Sequence, residues 1–578
     1  MLNINNNSNN NIKDKNYKNY IADIISYIKS EKPDKDMLSK KKIKLCSKYH
    51  LKQMPKDITI LLSAPLKDVK HIEQYLSIKP TRSISGVTVV AVMTKPLQCP
   101  GTCIYCPGGV NSFYGDTPKS YTGKEPAARR AARNHFDAYL QIFNRLEHYI
   151  VSGHVPDKVE LIIMGATFPA FTKEYQEEFV YFAFKAMNDF SALFYDKKDK
   201  INLKKFKDFY ELPANINDEQ RTKNIQKKVL ELKNKNIKTL AKEQLLNQGS
   251  KIKCVGLTIE TRPDYANLKI GNTLLKLGAT RIELGIQSVY EDILKKIKRG
   301  HTVKQSIKAI STLRDLGFKL NFHMMPGLPE VDRKKDLQGL KKLFSDQNFR
   351  PDMLKIYPCM VMQGTELYKM YKQKKFKPLT TKKAASLIAD FKKYVPRYVR
   401  IMRVQRDIPS NIVSAGVDKT NLRQYVSKEL KIKNITCNCI RCREIKLTNI
   451  TSPELNILKY KANNGVEFFI SIDDAKTDKI IGFCRLRFPT AQLRKEFTKT
   501  TAIVRELHVY GETTSVGIKG KIQHKGFGRL LLKTAELICQ ENNYDKLLVI
   551  SGVGVRNYYE KLGYKLQGVY MVKKLNQG

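Results

Sequence analysis

From residue 86 onward the chain returns repeatedly to short apolar runs separated by longer amphipathic stretches: "GVTVVAVM", "KVELIIMGATF", "KCVGLTIETRP", "TRIELGIQS", "KLNFHMMPG" and "DMLKIYP". Strands this apolar must be covered on both faces, and helices between successive strands cover them. The pattern therefore predicts parallel β/α units forming a full or partial barrel. In such barrels the chemistry sits where the strands end. Thr167, Glu260, Gln287, His323 and Tyr357 close these runs and are expected to face one mouth. Residues 190–250 break the alternation with a Lys-rich, helical pattern too long for an ordinary connection, and are read as an insertion.

After about residue 435 the pattern changes to hairpin-like strands, "VEFFISIDD", "KIIGFCRLRF" and "AIVRELHVYG", then one strong helix and a further strand. This predicts a second domain of the α+β class. At 578 residues the chain exceeds one ordinary core. The expected division is 1–36 as a low-complexity, disordered N-terminus with a short amphipathic piece around "YIADIISYIKSEKP" and 37–85 as a basic segment, then 86–430 as the barrel, 431–450 as a cysteine-bearing junction and 451–578 as the second domain.

Lys and Arg number 104 against 55 Asp and Glu, a net charge of +49. A polyanionic partner, nucleic acid first, is one physical reason for that excess; an AT-rich coding bias toward Lys, Asn and Ile is the other. The run "SKKKIKLCSKYHLKQMPKD" is either a phosphate contact or a solvated face. No apolar run is long enough to span a bilayer and the start lacks a signal-peptide core, so no membrane partner is expected. A cytoplasmic protein follows, with the nucleus also open. Eleven cysteines, six of them in two short clusters, suit metal sites in a reducing compartment better than a disulfide framework.

"QCPGTCIYCPGG" sets Cys99, Cys103 and Cys106 in a C-x3-C-x2-C loop directly after an apolar strand. A four-iron cluster normally takes four thiolates, so a loop supplying three leaves one iron for a small molecule. The arrangement resembles that of radical S-adenosylmethionine enzymes, where the free iron binds the methionyl amine and carboxylate. The resemblance implies a [4Fe–4S] cluster on Cys99, Cys103 and Cys106, with S-adenosylmethionine at the strand ends near Gly165, Thr167, Glu260 and Gln287. Gly108 and Gly109 either let the backbone approach that group or satisfy a turn.

"QHKGFGRLLLKTAEL" puts Gln523, Gly526 and Gly528 at the start of an amphipathic helix, where bare N–H groups can hold a pyrophosphate. With "VRELHVYG" before it and "KLLVISG" and "NYYEKLGY" after it, the order resembles acetyl-coenzyme-A-binding acyltransferases of the GNAT type. Tyr558 or Tyr559 is expected near the thioester sulfur, where a phenol can protonate a leaving thiolate; core packing is the alternative for either. Glu506, with His508 two residues on, is the candidate general base. "CNCIRCRE" brings Cys437, Cys439 and Cys442 to the junction, which suits zinc with a fourth ligand from elsewhere.

Taken in order, "KPTRSISGVTVVAVMTKP", "CIYCPGG", "SYTGKEP", "TIETRPDY", "LGIQSVYED", "RGHT", "HMMPGLP", "LKIYP", "RVQRDIP", "VRELHVYG", "QHKGFG" and "SGVGVRNYYEKLGY" resemble the Elongator catalytic subunit family, in cysteine pattern its archaeal and bacterial single-chain members. The expected fold is thus a radical-SAM partial (β/α) barrel followed by a GNAT acetyltransferase domain. The resemblance implies a tRNA partner and a carboxymethyl group built on the wobble uridine from acetyl-coenzyme A. It carries the acetyl-coenzyme-A contacts to Lys158, Glu506, Leu507, His508, Val509, Phe527, Gly528, Arg529 and Tyr559. A homodimer or Elongator-like accessory subunits remain open. The competing reading is a protein lysine acetyltransferase whose cluster is only structural and whose base is Glu506.

Overall fold

Seven parallel strands make the first half of the protein: β1 (Val87–Met93), β2 (Lys158–Met164), β3 (Lys253–Thr261), β4 (Arg281–Gln287), β5 (Lys319–Met324), β6 (Met353–Ile356) and β7 (Arg400–Arg403), in that spatial order. This computed structural model describes residues 15–51, 53–55, 57–76, 86–165, 167–213, 218–445, 450–510 and 526–575. Every neighbouring pair is parallel, and β1 and β7 do not pair with each other, so the barrel is partial. The six apolar runs became β1 to β6. The seventh strand, with Arg at both ends, has no apolar run to announce it.

The Lys-rich stretch is helical and lies in the crossover from β2 to β3. It forms helices Lys173–Phe194, Leu203–Phe209, Glu219–Lys233 and Leu240–Gly249, each opened by a side chain of Thr172, Asn202, Asp218 or Thr239 accepting a backbone N–H. Their inner faces are aromatic: Phe194 lies 4.6 Å from Phe190 and 5.3 Å from Phe206, centroid to centroid, all fully buried. Most of the lysines lie on the outer faces; Lys185, buried and paired to Asp189, does not.

The N-terminal reading needs correction. Residues 15–31, within the stretch expected to be disordered, form helix Lys15–Glu31, whose Tyr17, Tyr20, Ile21, Ile24, Ile25 and Ile28 are buried at helical spacing. Helices Lys35–Lys48, Asp57–Ser63 and Leu66–Leu76 share that core through Leu38, Leu45, Ile60 and Ile72. The basic run is accordingly a helix with an inner side: Lys42 is buried and ion-paired to Asp57 at 2.7 Å. The Asn tract at 1–14 lies outside the described residues.

The second sheet contains β8 (Pro453–Ala462), β9 (Gly465–Asp474), β10 (Lys479–Phe488), β11 (Thr501–Val509), β12 (Lys546–Val549), β13 (Lys565–Gln567) and β14 (Tyr570–Lys574), ordered β8-β9-β10-β11-β12-β14-β13. Asn463 and Asn464, with φ of 47° and 62°, make the two-residue turn between β8 and β9. Helix Phe527–Glu541 packs on this sheet through Leu531, Leu532, Ala535, Ile538 and Cys539.

This second domain docks on the foot of the barrel, the end where the strands begin. Arg505 bonds to Asp352, just before β6, and to the Phe318 carbonyl, just before β5. Arg400, which starts β7, donates to the Tyr510 hydroxyl at 2.8 Å. The backbones at Gly552 and Val255 touch so closely that a Cβ on Gly552 would lie 2.1 Å from the Val255 carbonyl oxygen. Among the described residues no helix is long and apolar enough to cross a membrane.

Candidate functional site: a cysteine loop at the barrel mouth and an acyl cleft at its foot

The loop after β1 carries Cys99, Cys103 and Cys106, all partly exposed and unbridged. Ile104 holds the loop in place, its N–H donating to the Ile297 carbonyl and its own carbonyl accepting from Leu367. Two guanidiniums flank it. Arg299 Nη1 donates to Cys103 Sγ at 3.4 Å, and Arg262 fills the space over Gly101. Burial disfavours the Cys103 thiolate, but Arg299 and Arg262 outweigh it and draw the thiol below its usual range. Burial instead pushes Cys106 up. Burial, with Arg299 and Arg262 beside it, lowers His301 to about 3.

Strand-end residues beside this loop have polar atoms buried without a partner: Thr94 Oγ1, Thr167 Oγ1 and Gln287 Oε1. Gly165 has φ of 120°, and a Cβ there would lie 2.4 Å from Thr94 Oγ1. Orphaned acceptors and donors around a bare backbone, next to three thiols, fit a cluster with an amino-acid-like ligand. Cys99, Cys103, Cys106, Gly165, Thr167 and Gln287 thus belong to one end of the barrel.

Glu260 has another setting. Its Oε2 accepts from the Tyr121 hydroxyl at 3.1 Å and its Oε1 lies 3.8 Å from Lys355 Nζ. Lys355 also pairs with Glu283, whose second oxygen accepts from Asn321 at 3.1 Å while His323 Nε2 lies 2.8 Å away. Burial opposes ionisation of Glu283, but Lys355, His323 and Arg281 hold it well below the carboxylate range. Glu260, Glu283 and His323 offer atoms close enough for a metal ion, yet the Lys355 ammonium already fills that role. Tyr357 stands edge-on to His323 at 5.4 Å. The barrel interior is therefore a charged, hydrogen-bonded column.

On the acyl side, β11 pairs with β12 only through Val504, so Arg505–Val509 lacks a partner strand on that side. This wedge is where an extended amide-bearing ligand can take up free backbone groups. Gly526, with φ of 84°, starts the helix whose next residues are Phe527, Gly528 and Arg529. Tyr558 is 40% exposed and its hydroxyl would sit 3.0 Å from a Cβ on Gly528, while Tyr559 is 6% exposed and edge-on to Tyr564. Of the two, Tyr558 reaches the helix start and Tyr559 packs. Gln523 lies outside the described residues.

Glu506 does not stand free as a base. Its Oε2 accepts from Arg485 at 2.9 Å and its Oε1 faces Lys319 at 3.9 Å. Burial works against the anion, but Lys319 and Arg485 keep its carboxyl below the ordinary range. Pinned between two cations, it works as a strut between wedge and barrel foot. His508 stacks near Phe483 and Tyr510, its Nε2 buried without a partner; burial keeps its pKa low and the ring neutral. Leu507 and Val509 flank it on the same stretch, paired with β10 but not with β12. Lys158 begins β2 beside Lys253, with its amine on Asp157 at 2.9 Å.

At the junction the Sγ atoms of Cys437, Cys439 and Cys442 lie within 4.8 Å of one another. The fourth group set against them is Lys392, 3.9 Å from Cys439 Sγ and 3.6 Å from Cys442 Sγ. Hydrogen bonds from Cys437 and Cys442, then Lys392, favour one thiolate at Cys439. Three thiolates and a divalent cation leave one negative charge, which a neighbouring ammonium would offset, so the set could hold zinc.

A parallel partial barrel with a three-cysteine loop at its mouth, joined to a sheet that splays into an acyl wedge, defines a radical S-adenosylmethionine enzyme fused to a GNAT-type acyltransferase. Family models agree: ELP3 N-terminal domain at residues 17–84, Radical SAM superfamily at 218–339, Radical_SAM C-terminal domain at 351–432 and Acetyltransferase (GNAT) family at 441–564. The tRNA uridine(34) acetyltransferase of Methanocaldococcus infernus is 43% identical over 534 residues, 90% of this chain and 92% of that protein. Elongator complex protein 3 of Saccharomyces cerevisiae is 40% identical over 550 residues, 92% of this chain and 91% of that one. The solved structure of the archaeal Methanocaldococcus infernus Elp3 with its N-terminus deleted (1–46) matches with a TM-score of 0.69 at 39% identity, covering 85% of this chain and 100% of that chain. The chain belongs to the family of Elongator complex protein 3 and the tRNA uridine(34) acetyltransferases. The radical-SAM family implies a [4Fe–4S] cluster and S-adenosylmethionine, and the GNAT family implies acetyl-coenzyme A.

Residue patterning alone missed Arg262, Arg299, Glu283, Lys355 and Asp352. "TIETRP" and "RGHT" do carry the two arginines, but nothing local says they converge on a loop more than a hundred and fifty residues earlier.

Proposed function

We propose that this chain modifies uridine 34 of tRNA, using S-adenosylmethionine for radical chemistry and acetyl-coenzyme A as the carbon source of a carboxymethyl group. One observation carries the reading: the stretch of β11 unpaired with β12 abuts the barrel foot, through Arg505 on Asp352 and Glu506 beside Lys319, so both sites adjoin one barrel interior. Two unrelated activities would have no need of that contact.

Cys99, Cys103 and Cys106 would hold the cluster, which when bound would supply the one electron that cleaves S-adenosylmethionine into methionine and a 5′-deoxyadenosyl radical able to take a hydrogen atom from the acetyl methyl. Thr94, Gly165 and Thr167 would orient the methionyl end through their unpartnered groups. The N-terminus of helix Phe527–Glu541 would take the pyrophosphate, and the free amides of β11 the pantetheine arm. Tyr558, at the helix start, is suited to donate a proton to the thiolate that leaves on thioester hydrolysis. The positive charge of the chain favours tRNA phosphates, and the target base must leave its stack to enter a barrel mouth. The lysine-acetyltransferase reading is weakened because Glu506 is bound by Arg485 and faced by Lys319.

The test is anaerobically reconstituted protein with reductant, S-adenosylmethionine, tRNA and methyl-deuterated acetyl-coenzyme A. Deuterium in 5′-deoxyadenosine together with a carboxymethylated uridine is expected. Acetylated lysines with no label transfer and unmodified tRNA would overturn the reading.

A further inference from the structure

Two buried guanidiniums converge on the cysteine loop, and among the described residues only one of the two is ion-paired to a carboxylate. Arg262 follows β3 and is 3% exposed; its Nε and Nη2 donate to Asp264 at 3.0 and 2.8 Å, which balances one cation. Its Nη1 has no partner, and a Cβ on Gly101, between Cys99 and Cys103, would lie 1.7 Å from it. Arg299 is 8% exposed; it donates to the Gly285 carbonyl at 2.8 Å and to Cys103 Sγ at 3.4 Å, and its Nε has no partner. Among the described residues Arg299 forms no ion pair with a carboxylate. Beside them His301, 5% exposed, has both ring nitrogens unpartnered.

A buried, unpaired guanidinium is costly unless an anion faces it, and buried donors without acceptors add to the cost. The anion missing from this corner is one that grows more negative in use. A [4Fe–4S] core of charge 2+ on three thiolates carries one negative charge, and two after taking an electron. Net charge and hydrogen bonds to sulfur are the terms that set such potentials.

We propose that Arg299, backed by Arg262 and His301, sets the reduction potential of the cluster held by Cys99, Cys103 and Cys106, its guanidinium stabilising the extra negative charge of the reduced state. This rests on the reading of those three cysteines as cluster ligands. The step is a one-electron reduction in which no bond is made or broken; the electron comes from an external one-electron donor. Arg299 is a positioning and charge-tuning residue rather than a catalytic one. Arg262, already balanced by Asp264, contributes less.

The experiment is a dithionite titration with redox mediators, followed by electron paramagnetic resonance, on the full chain reconstituted anaerobically without substrate. Iron and sulfide are counted for each variant first. Arg299→Gln keeps hydrogen-bond donors and removes the charge; its midpoint is expected to fall by about 59 mV or more, a tenfold loss in the reduced-to-oxidised ratio for one electron. Arg299→Lys is expected to recover most of the shift, and Arg262→Gln to fall by less than Arg299→Gln. An Arg299→Gln variant that holds its cluster and titrates with the parent would overturn the proposal, as would an Arg299→Lys variant that falls equally far. Should Arg299→Gln hold no cluster, Arg262→Gln decides: a lower midpoint supports the proposal, and an unmoved midpoint or a second loss of cluster assigns the arginines to scaffolding and overturns it. A parent chain that binds no four-iron cluster is a separate failure, one that removes the ligand reading and the proposal with it.

Discussion

Arg505 and Asp352 form a fully buried, two-point ion pair across the domain boundary, Nη2 to Oδ1 at 2.5 Å and Nη1 to Oδ2 at 2.8 Å. Arg505 also reaches Glu467 at 3.0 Å, and Arg485 lies 3.6 Å from Asp352. Burial opposes the Asp352 anion, but Arg505 and Arg485 hold its carboxyl far below the usual range. Asp352→Asn would leave Arg505 only Glu467, which Arg487 shares, so that the buried network is one negative charge short, and is expected to cost about 3–5 kcal/mol. Denaturant unfolding checks this; a midpoint unchanged from the parent would contradict it.

Glu506→Gln separates strut from base. Since Arg485 and Lys319 keep this carboxylate ionised throughout the neutral range, its replacement should lower stability by about 1–3 kcal/mol. The pH profile of acetyl-coenzyme A consumption should keep its shape. Loss of an acid limb near neutrality would restore Glu506 as the base.

The two tyrosines divide in the same manner. Tyr558→Phe should slow acetyl-coenzyme A turnover about tenfold or more with little change in folding, because its hydroxyl hangs over Gly528. Tyr559→Ala should instead destabilise the fold by about 3–5 kcal/mol, as expected for deleting a buried ring. Turnover and thermal unfolding measured on both variants would expose an exchange of roles.

Asp336 supplies a pH dependence. Burial pushes its carboxyl up to about 7, against a donated Gly327 N–H at 2.9 Å. The folded protein therefore holds a proton that the unfolded chain has released, so stability should fall as pH rises from about 4 to about 7. Asp336→Asn should flatten that slope in denaturation midpoints taken across the window. A parent whose stability rises over the same range, with Asp336→Asn parallel to it, would refute the assignment.

Lysines of one run should behave differently. Lys40 and Lys44 are exposed, whereas Lys42 is buried on Asp57. Neutralising Lys40 and Lys44 should reduce the slope of log affinity for tRNA against log salt by about 0.7–0.9 for each phosphate that the protein ceases to neutralise. Lys42→Gln should destabilise the N-terminal helices and leave the slope alone.

Periodicity was enough to find β1 to β6, because strands covered on both faces are apolar throughout. It missed β7, which is four residues long and begins and ends in arginine. The helix Lys15–Glu31 shows in the sequence as an amphipathic piece, with Tyr17, Ile21, Ile24 and Ile28 at helical spacing, but the Asn tract before it draws the whole of 1–36 toward disorder. Ligand-like residues were visible one by one: Cys99, Cys103 and Cys106 crowd into one loop, and Gly526 and Gly528 precede an amphipathic helix. What could not be read was pairing at a distance. Glu506 looks like a base until Arg485 and Lys319 are seen against it, and Arg299 is an ordinary surface residue until it meets Cys103.

The docking of the second domain on the barrel foot sets the cysteine loop and the splayed sheet at opposite ends of one barrel. Under the proposed function the polymer would approach at the mouth and the acyl donor beneath it, at the splayed sheet. Neither ligand has to leave before the other arrives. Initial-rate plots against the two substrates should therefore intersect, the pattern of a reaction that waits for both, rather than run parallel as they would for an acyl group parked on the protein between visits.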